Sequence, residues 1–172
     1  TTEIYTLSLH DALPISSKPG LNQVINYEPI QVPHEALQDL QERFCLIYTG
    51  QRRLARNLLR EVMGKYIGGN PTSISTIHDI QKMAVLMKFE LEKGNIDRFA
   101  ELLDRHWDLS KLLDKGSTNT CIEHIIFACE DMLAGKMICG AGGGGFLQAI
   151  LKRGISKEDL SRRLKSVFGD TG

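Results

Sequence analysis

The chain has 172 residues, 42% of them hydrophobic and 24% charged, the balance of one globular domain with a full core. Lys plus Arg equals Asp plus Glu at 21 each, and without a basic excess a nucleic-acid partner is not expected. No apolar run approaches the ~18 residues of a membrane-spanning helix, so no membrane partner is expected either.

The opening fifteen residues, TTEIYTLSLHDALPI, match the codon-by-codon translation of a common short-read sequencing adapter, whose last T would open the Ser16 codon. As a signal peptide the segment is poor, since it lacks a basic start and His10 and Asp11 interrupt its apolar part. Residues 1–16 are expected to be adapter-derived and residues 17–172 to be the native domain, with native sequence continuing upstream. The chain ends FGDTG without a stop signal for its last helix, so the C-terminus is also expected to continue.

Asn22 to Pro33, NQVINYEPIQVP, alternates loosely and reads as one strand or a strand pair ended by Pro33. RFCLIYTG, Arg43 to Gly50, is a short buried strand. QRRLARNLLREVMGKYI follows as an amphipathic helix with Leu54, Leu58, Val62 and Tyr66 four apart. GGNPTS breaks it. A second helix carries Ile77, Ile80, Ala84, Met87 and Leu91 on one stripe and ends at Gly94. A third sets Phe99, Leu102, His106, Leu109 and Leu113 at helical spacing. A fourth starts behind Asn119 or Thr120 as cap. Two apolar strands then flank a glycine run, and SKEDLSRRLKSVF closes the chain as a helix capped by Ser156. This order is an α+β fold, a small antiparallel sheet covered on one face by helices. Cys45, Cys121, Cys129 and Cys139 have no metal-ligand spacing and read as buried free thiols of a reducing cytoplasm.

The glycine run is CGAGGGGFLQAILK, Cys139 to Lys152, with Ala141 between Gly140 and Gly142 and then Gly143, Gly144 and Gly145. Five glycines cost about 2.5–5 kcal/mol relative to alanine, against a whole-domain stability of about 5–15 kcal/mol. A hairpin turn needs only one or two of them. The remainder make sense where backbone approaches a ligand closely or where N–H groups converge on an anion.

KMICGAGGGGFLQAIL resembles the third, C-terminal motif of the GHMP small-molecule kinases. LIYTGQRRLARNLL resembles the TG-x-x-R element of one branch, the fucokinases and heptose-7-phosphate kinases, with Thr49, Gly50 and Arg53 on its pattern. KPGLNQVINYEP and HWDLSKLLDKGSTNTCIEHII fit the same branch, so the resemblance covers Ser17 to Gly172. It implies a ferredoxin-like GHMP kinase C-terminal domain and transfer of the γ-phosphoryl of MgATP to a sugar hydroxyl. ATP and Mg2+ would be held mainly by an N-terminal domain with a GLGSS-type phosphate loop. The preferred acceptor is L-fucose, giving L-fucose 1-phosphate; a heptose 7-phosphate kinase and a non-catalytic small-ligand module are the alternatives. Neither the GLGSS loop nor the family's Asp-bearing catalytic segment occurs here. The chain is therefore expected to be inactive alone, and no carboxylate receives a catalytic role.

The residues expected to face substrate or phosphate are Gly140, Ala141, Gly142, Gly143, Gly144 and Gly145, together with Thr49, Gly50 and Arg53. Thr49 and Gly50 could offer N–H groups at a helix start, a natural anion site; a plain strand end is the alternative. Arg53 could reach a phosphate or be one more solvated charge. Ser117, Thr118 and Asn119 could line the pocket or simply cap a helix. His106 with Trp107 could stack on a sugar, although one Trp in a helical stripe is more often core. His124 beside Glu123 has no ligand-spaced partner, and no metal ligand is assigned. Arg162, Arg163 and Lys165 read as a solvated helix face.

Overall fold

The computed structural model describes residues 15–17, 25–27, 29–51, 56–140 and 142–169. Two short strands come first, β1 (Ile15–Ser17) and β2 (Ile25–Tyr27), paired antiparallel with Ile15 opposite Tyr27. Ile15 and Ser16 thus pair with a strand although they fall in the adapter-like segment.

The main sheet is built from β3 (Phe44–Tyr48), β4 (Leu133–Ile138) and β5 (Phe146–Leu151), antiparallel, in the order β3-β5-β4. First, third, second is the order of the first three strands in a ferredoxin-like β-α-β-β-α-β arrangement. The helices are α1 (His34–Arg43), α2 (Arg56–Ile67), α3 (Pro71–Glu92), α4 (Ile96–Leu113), α5 (Thr120–Cys129) and α6 (Lys157–Phe168). The α+β reading and the hairpin around the glycine run hold.

Helices cover both faces of the sheet, not one. Successive strand residues point to opposite faces. Phe44 and Ile150, paired across β3 and β5, join a cluster with Ala36 and Leu40 of α1, Leu91 of α3, and Ala100 and Leu103 of α4. Their neighbours Cys45 and Ala149 pack with Cys129 of α5 and Leu160 of α6. Trp107 belongs to a third cluster with Ile122, Ile126, Ile138 and Leu147.

Helix α1 is absent from the elements read in the sequence. Its string HEALQDLQER is mostly polar and buries only Ala36, Leu40 and Arg43. Arg43 explains the position of this helix. Its Nε donates to Leu151 O at 2.7 Å, and Nη1 to Asp39 Oδ2 at 3.0 Å. Nη2 lies 2.7 Å from Asp97 Oδ1, an ion pair whose alignment misses that of a hydrogen bond. Arg153 closes the cluster from outside, bidentate to Asp39 and bonded to Asp97. Burial pushes the Asp97 carboxyl up, but Arg43 and Arg153 outweigh it and hold the group below its ordinary value. Removing Arg43 takes the side-chain donor from the buried Leu151 O and leaves Asp39 and Asp97 to Arg153 alone, so Arg43→Ala should cost about 2–3 kcal/mol in urea unfolding, with the lost packing of the buried side chain included.

Three helix faces differ from the expected stripes. In α3, Thr76, Met83 and Leu91 are buried while Ala84 is exposed, a rotation that brings in Met83. In α4 the buried face is Ile96, Ala100, Leu103 and Trp107 with Leu102, because this helix packs on both α3 and β4. His106, Leu109 and Leu113 are half-buried. In α2, Val62 is half-buried and Tyr66 exposed; Leu54 and the side chain of Leu58 lie outside the described residues. Of the four thiols, Cys45 and Cys129 are buried as expected, whereas Cys121 and Cys139 are half-buried.

The expected caps are present. Asn119 Oδ1 accepts from Ile122 N at 3.1 Å. Ser156 forms a full capping box with Asp159. Ser156→Ala should cost about 1 kcal/mol. The Ser156 hydroxyl and N–H hold the Asp159 carboxyl below its ordinary value. A lowered folded value contributes stability above the unfolded carboxyl pKa of about 3.9 and loses it as pH falls through the folded value. The Ser156→Ala deficit should therefore shrink on acidification below about pH 4, read from urea midpoints across pH. Arg163, expected to be solvated, makes a bidentate pair with Asp131 that ties α6 to the turn after α5. Among the described residues no helix is long and apolar enough to cross a membrane.

Candidate functional site

Three distant segments meet at the glycine loop: residues 49–51 after β3, residues 117–119 before α5, and the loop itself. Thr49 is buried, and both its N–H and its Oγ1 donate to Gly145 O at 2.9 Å. Gly145 N donates back to Gln51 O at 2.8 Å. Gly143 N donates to Ser117 O at 2.6 Å. Asn119 spans the remaining gap: its Nδ2 reaches Gln51 Oε1 at 2.8 Å and Gly143 O at 3.0 Å, while its Oδ1 caps α5. The Cys121 thiol donates to Thr49 O at 3.6 Å.

The glycines are not surplus. Gly140, Gly142, Gly143 and Gly145 all have φ between +73° and +86°, where an L side chain is strained. Gly144 is required by close approach, since a Cβ there would lie 2.9 Å from Gln51 O. Gly142 is required twice over: a Cβ would also lie 2.7 Å from Ser117 Cα.

This geometry corrects the expected anion cradle. The N–H groups of Gly143, Gly145 and Thr49 are spent on protein carbonyls. Thr49 serves as a strut under the loop, not as an anion donor. Gly140, Gly142 and Gly144 donate to no described residue, and Gly142 and Gly144 are the two of these that flank the anchored Gly143. Gly50 is exposed with φ +72°. Ala141 and Arg53 lie outside the described residues. Asn119 both caps α5 and ties the loop, whereas Ser117 does not cap α5: its carbonyl accepts from Gly143 N and its hydroxyl donates to Ser110 O. Gln51 was missed by sequence reading; its only sequence signal is its place beside Thr49 and Gly50.

Behind the loop, a cavity of about 150 Å³ separates it from α4. Its walls include Gly140 and Gly142 on one side and His106, Trp107 and Ser110 on the other. Trp107 is core, 2% exposed, so the stacking role is not realised, but the indole still forms part of this wall. A larger groove of about 540 Å³ runs between α4 and α5, lined by Asp104, Lys111, Glu123, His124 and Lys136. No group of three metal-ligating side chains occurs among the described residues. Burial pushes the Cys45 thiol to about 12 and the Cys129 thiol to about 11, and raises Cys139 too, so all three are poor nucleophiles.

No family model matches the chain. It is 26% identical over 150 residues to an Arabidopsis thaliana bifunctional fucokinase/GDP-fucose pyrophosphorylase, covering 87% of this chain and 14% of that protein. It is 29% identical over 107 residues to a Bacteroides fragilis L-fucokinase/L-fucose-1-P guanylyltransferase, covering 62% and 11%. Against a Campylobacter jejuni D-glycero-alpha-D-manno-heptose 7-phosphate kinase the identity is 25% over 127 residues, covering 73% and 37%. The chain thus spans well under half the length of each relative. Among solved structures, L. major mevalonate kinase shares the fold with a TM-score of 0.69 at 18% identity, over 88% of this chain and 44% of that one.

Proposed function

We propose that this chain, a relative of the fucokinases and heptose-phosphate kinases among the GHMP kinases, is the glycine-loop part of a sugar kinase. The whole protein transfers the γ-phosphoryl of MgATP to L-fucose, giving L-fucose 1-phosphate. MgATP is held mainly by a domain outside this chain, and the chain alone is inactive. The observation that carries the reading is the lacing of the loop. Gly143 and Gly145 are anchored, which fixes Gly142 and Gly144, whose N–H groups have no acceptor among the described residues. A rigid pair of backbone donors suits phosphoryl transfer, where positioning and charge stabilisation do most of the catalysis. Fucose is preferred because the two fucokinases match at higher identity; the heptose 7-phosphate kinase match over 73% of the chain supports the second reading.

The test is a pair of grafts. Residues 29–169 replace the matching segment of the Bacteroides fragilis fucokinase and, separately, of the Campylobacter jejuni heptose 7-phosphate kinase. ADP release is then followed with each enzyme's sugar. The fucokinase graft is expected to turn over and the heptose graft to be at least about tenfold slower. Activity in the heptose graft alone would favour the second reading. Two folded but inactive grafts would overturn the kinase reading.

A further inference from the structure

Asn119 and Gln51 meet at the glycine loop through their side-chain amides, and main-chain partners fix which way each amide faces. Asn119 Oδ1 accepts from Ile122 N at 3.1 Å, and its Nδ2 donates to Gly143 O at 3.0 Å. A main-chain N–H can only donate and a carbonyl can only accept, so the Asn119 amide admits no flip. The Gln51 atom 2.8 Å from Asn119 Nδ2 must then be an acceptor, Oε1. Gln51 Nε2 is therefore turned away from Asn119, and it donates to no described residue. The rest of Gln51 is pinned to the same loop. Its carbonyl accepts from Gly145 N at 2.8 Å, and a Cβ built on Gly144 would stand 3.4 Å from Gln51 Cβ. The exposed side chain runs from Gly144 at its stem to Asn119 and Gly143 at its amide. Amide bond lengths put Nε2 about 2.2 Å from Oε1, hence within about 5 Å of Asn119 Nδ2 and about 8 Å of Gly143 O. It joins a stretch where the Gly142 and Gly144 N–H groups also lack an acceptor among the described residues. Neutral donors gathered on one anchored segment suit an oxyanion.

We infer that Gln51 is a further ligand-contacting residue, its Nε2 donating to a phosphoryl oxygen held at residues 142–144, with Asn119 as the positioning residue that turns the amide outward. The inference rests on the kinase reading and deepens it. It adds a side chain to a loop otherwise read as main chain alone, and assigns that side chain to the phosphoryl group and not to the sugar. Two substitutions separate the roles. Gln51→Glu keeps an acceptor for Asn119 Nδ2 and exchanges the free donor for a carboxylate oxygen. Asn119→Ser keeps a good cap on α5 but has no amide to hold Gln51 or Gly143.

The test follows the Gln51 side-chain NH2 pair and the Gly144 amide in ¹H–¹⁵N spectra of the full chain, titrated at matched ionic strength with inorganic phosphate and with L-fucose. Gln51→Glu assigns the NH2 pair by its disappearance. Phosphate is expected to shift both signals saturably, and fucose neither. Gln51→Glu should weaken phosphate binding, read at Gly144, about tenfold or more, because a donor to the anion becomes a like charge. Asn119→Ser should weaken it about threefold, through an amide left free to rotate. The amide spectrum of each variant checks that it folds. In the fucokinase graft, Gln51→Glu should lower kcat and leave KM for fucose within about twofold, a split that a merely structural residue would not give. A Gln51 pair that ignores phosphate, or that follows fucose in its place, would overturn the inference. So would a Gln51→Glu chain that binds phosphate as tightly as the unchanged one. Active fucokinase grafts beside a silent Gln51 would remove this contact and leave the kinase reading intact. Folded but inactive grafts beside a Gln51 that responds to phosphate would keep the contact and remove the kinase reading.

Discussion

Gly142→Ala in the fucokinase graft should lower kcat about 100-fold with the fold preserved. The new Cβ would stand 2.7 Å from Ser117 Cα and 2.8 Å from Ser117 O, both main-chain atoms that cannot swing aside. The φ of +84° adds strain of about 1–2 kcal/mol. The relief available is for the loop to lift off residue 117, which breaks the Gly143 N to Ser117 O bond and carries the Gly142 and Gly144 N–H groups away from their positions. Displacement of about an ångström can cost 10²-fold in rate. Gly140→Ala is the control. Its φ is +74°, but a Cβ there meets nothing within 4 Å, so strain acts without collision and the loss should be about tenfold or less. Steady-state kinetics of the two variants check the contrast. Equal losses would mean that glycine's dihedral freedom, and not contact with Ser117, sets the loop.

The largest stability effect should come from Gly135→Ala. Position 135 is on β4, just past the irregularity between Leu133 and Gly135, where α4 crosses the strand. A Cβ would lie 2.1 Å from Ala100 O, 2.6 Å from Ala100 C and 2.8 Å from Ala100 Cα. Neither partner can yield without moving α4 off the sheet. That movement would also pull Asp104 from its 2.7 Å hydrogen bond with Lys136 N and open the cluster around Ala100, Leu103 and Ile150. Overpacking of a core usually costs about 1–3 kcal/mol and more when backbone collides; about 3 kcal/mol or more is expected here, read from urea denaturation. Ala100→Gly should not rescue the variant, because the colliding atoms belong to the main chain. A rescue would show that side-chain crowding, and not helix–strand contact, is the constraint.

What the sequence discloses and what it hides divide along physical lines. The hairpin, the caps at Asn119 and Ser156 and the helix order rest on local signals within a few residues, and those were legible. Helix α1 was not, because its stabilising residue is a buried arginine whose main acceptor, Leu151 O, lies 108 positions away. The coverage of both sheet faces was also hidden, since it depends on which side α5 and α6 pack. At the site, the loop was marked by its glycines, but its purpose was only half legible. Composition suggested glycines freeing N–H groups for an anion. In the fold, two of those groups are consumed by the carbonyls of Gln51 and Ser117. Neither carbonyl has any sequence signature, and Asn119 meets Gln51 across 68 positions. Thr49, expected to offer its N–H to an anion, spends both that N–H and its hydroxyl on Gly145 O.

The claim that this chain is one part of a sugar kinase is tested most directly in the source DNA, by sequencing across the codons for His10 to Ile25 from primers placed well upstream. The expected result is native sequence that departs from the adapter near Ser16 and continues in frame to a GLGSS-type phosphate loop and an Asp-bearing segment. Adapter-like codons that prove genuine, with a start codon just before them, would contradict it. The glycine loop would then work without a nucleotide-binding domain on the same chain, and a non-catalytic small-ligand module would take the place of the kinase.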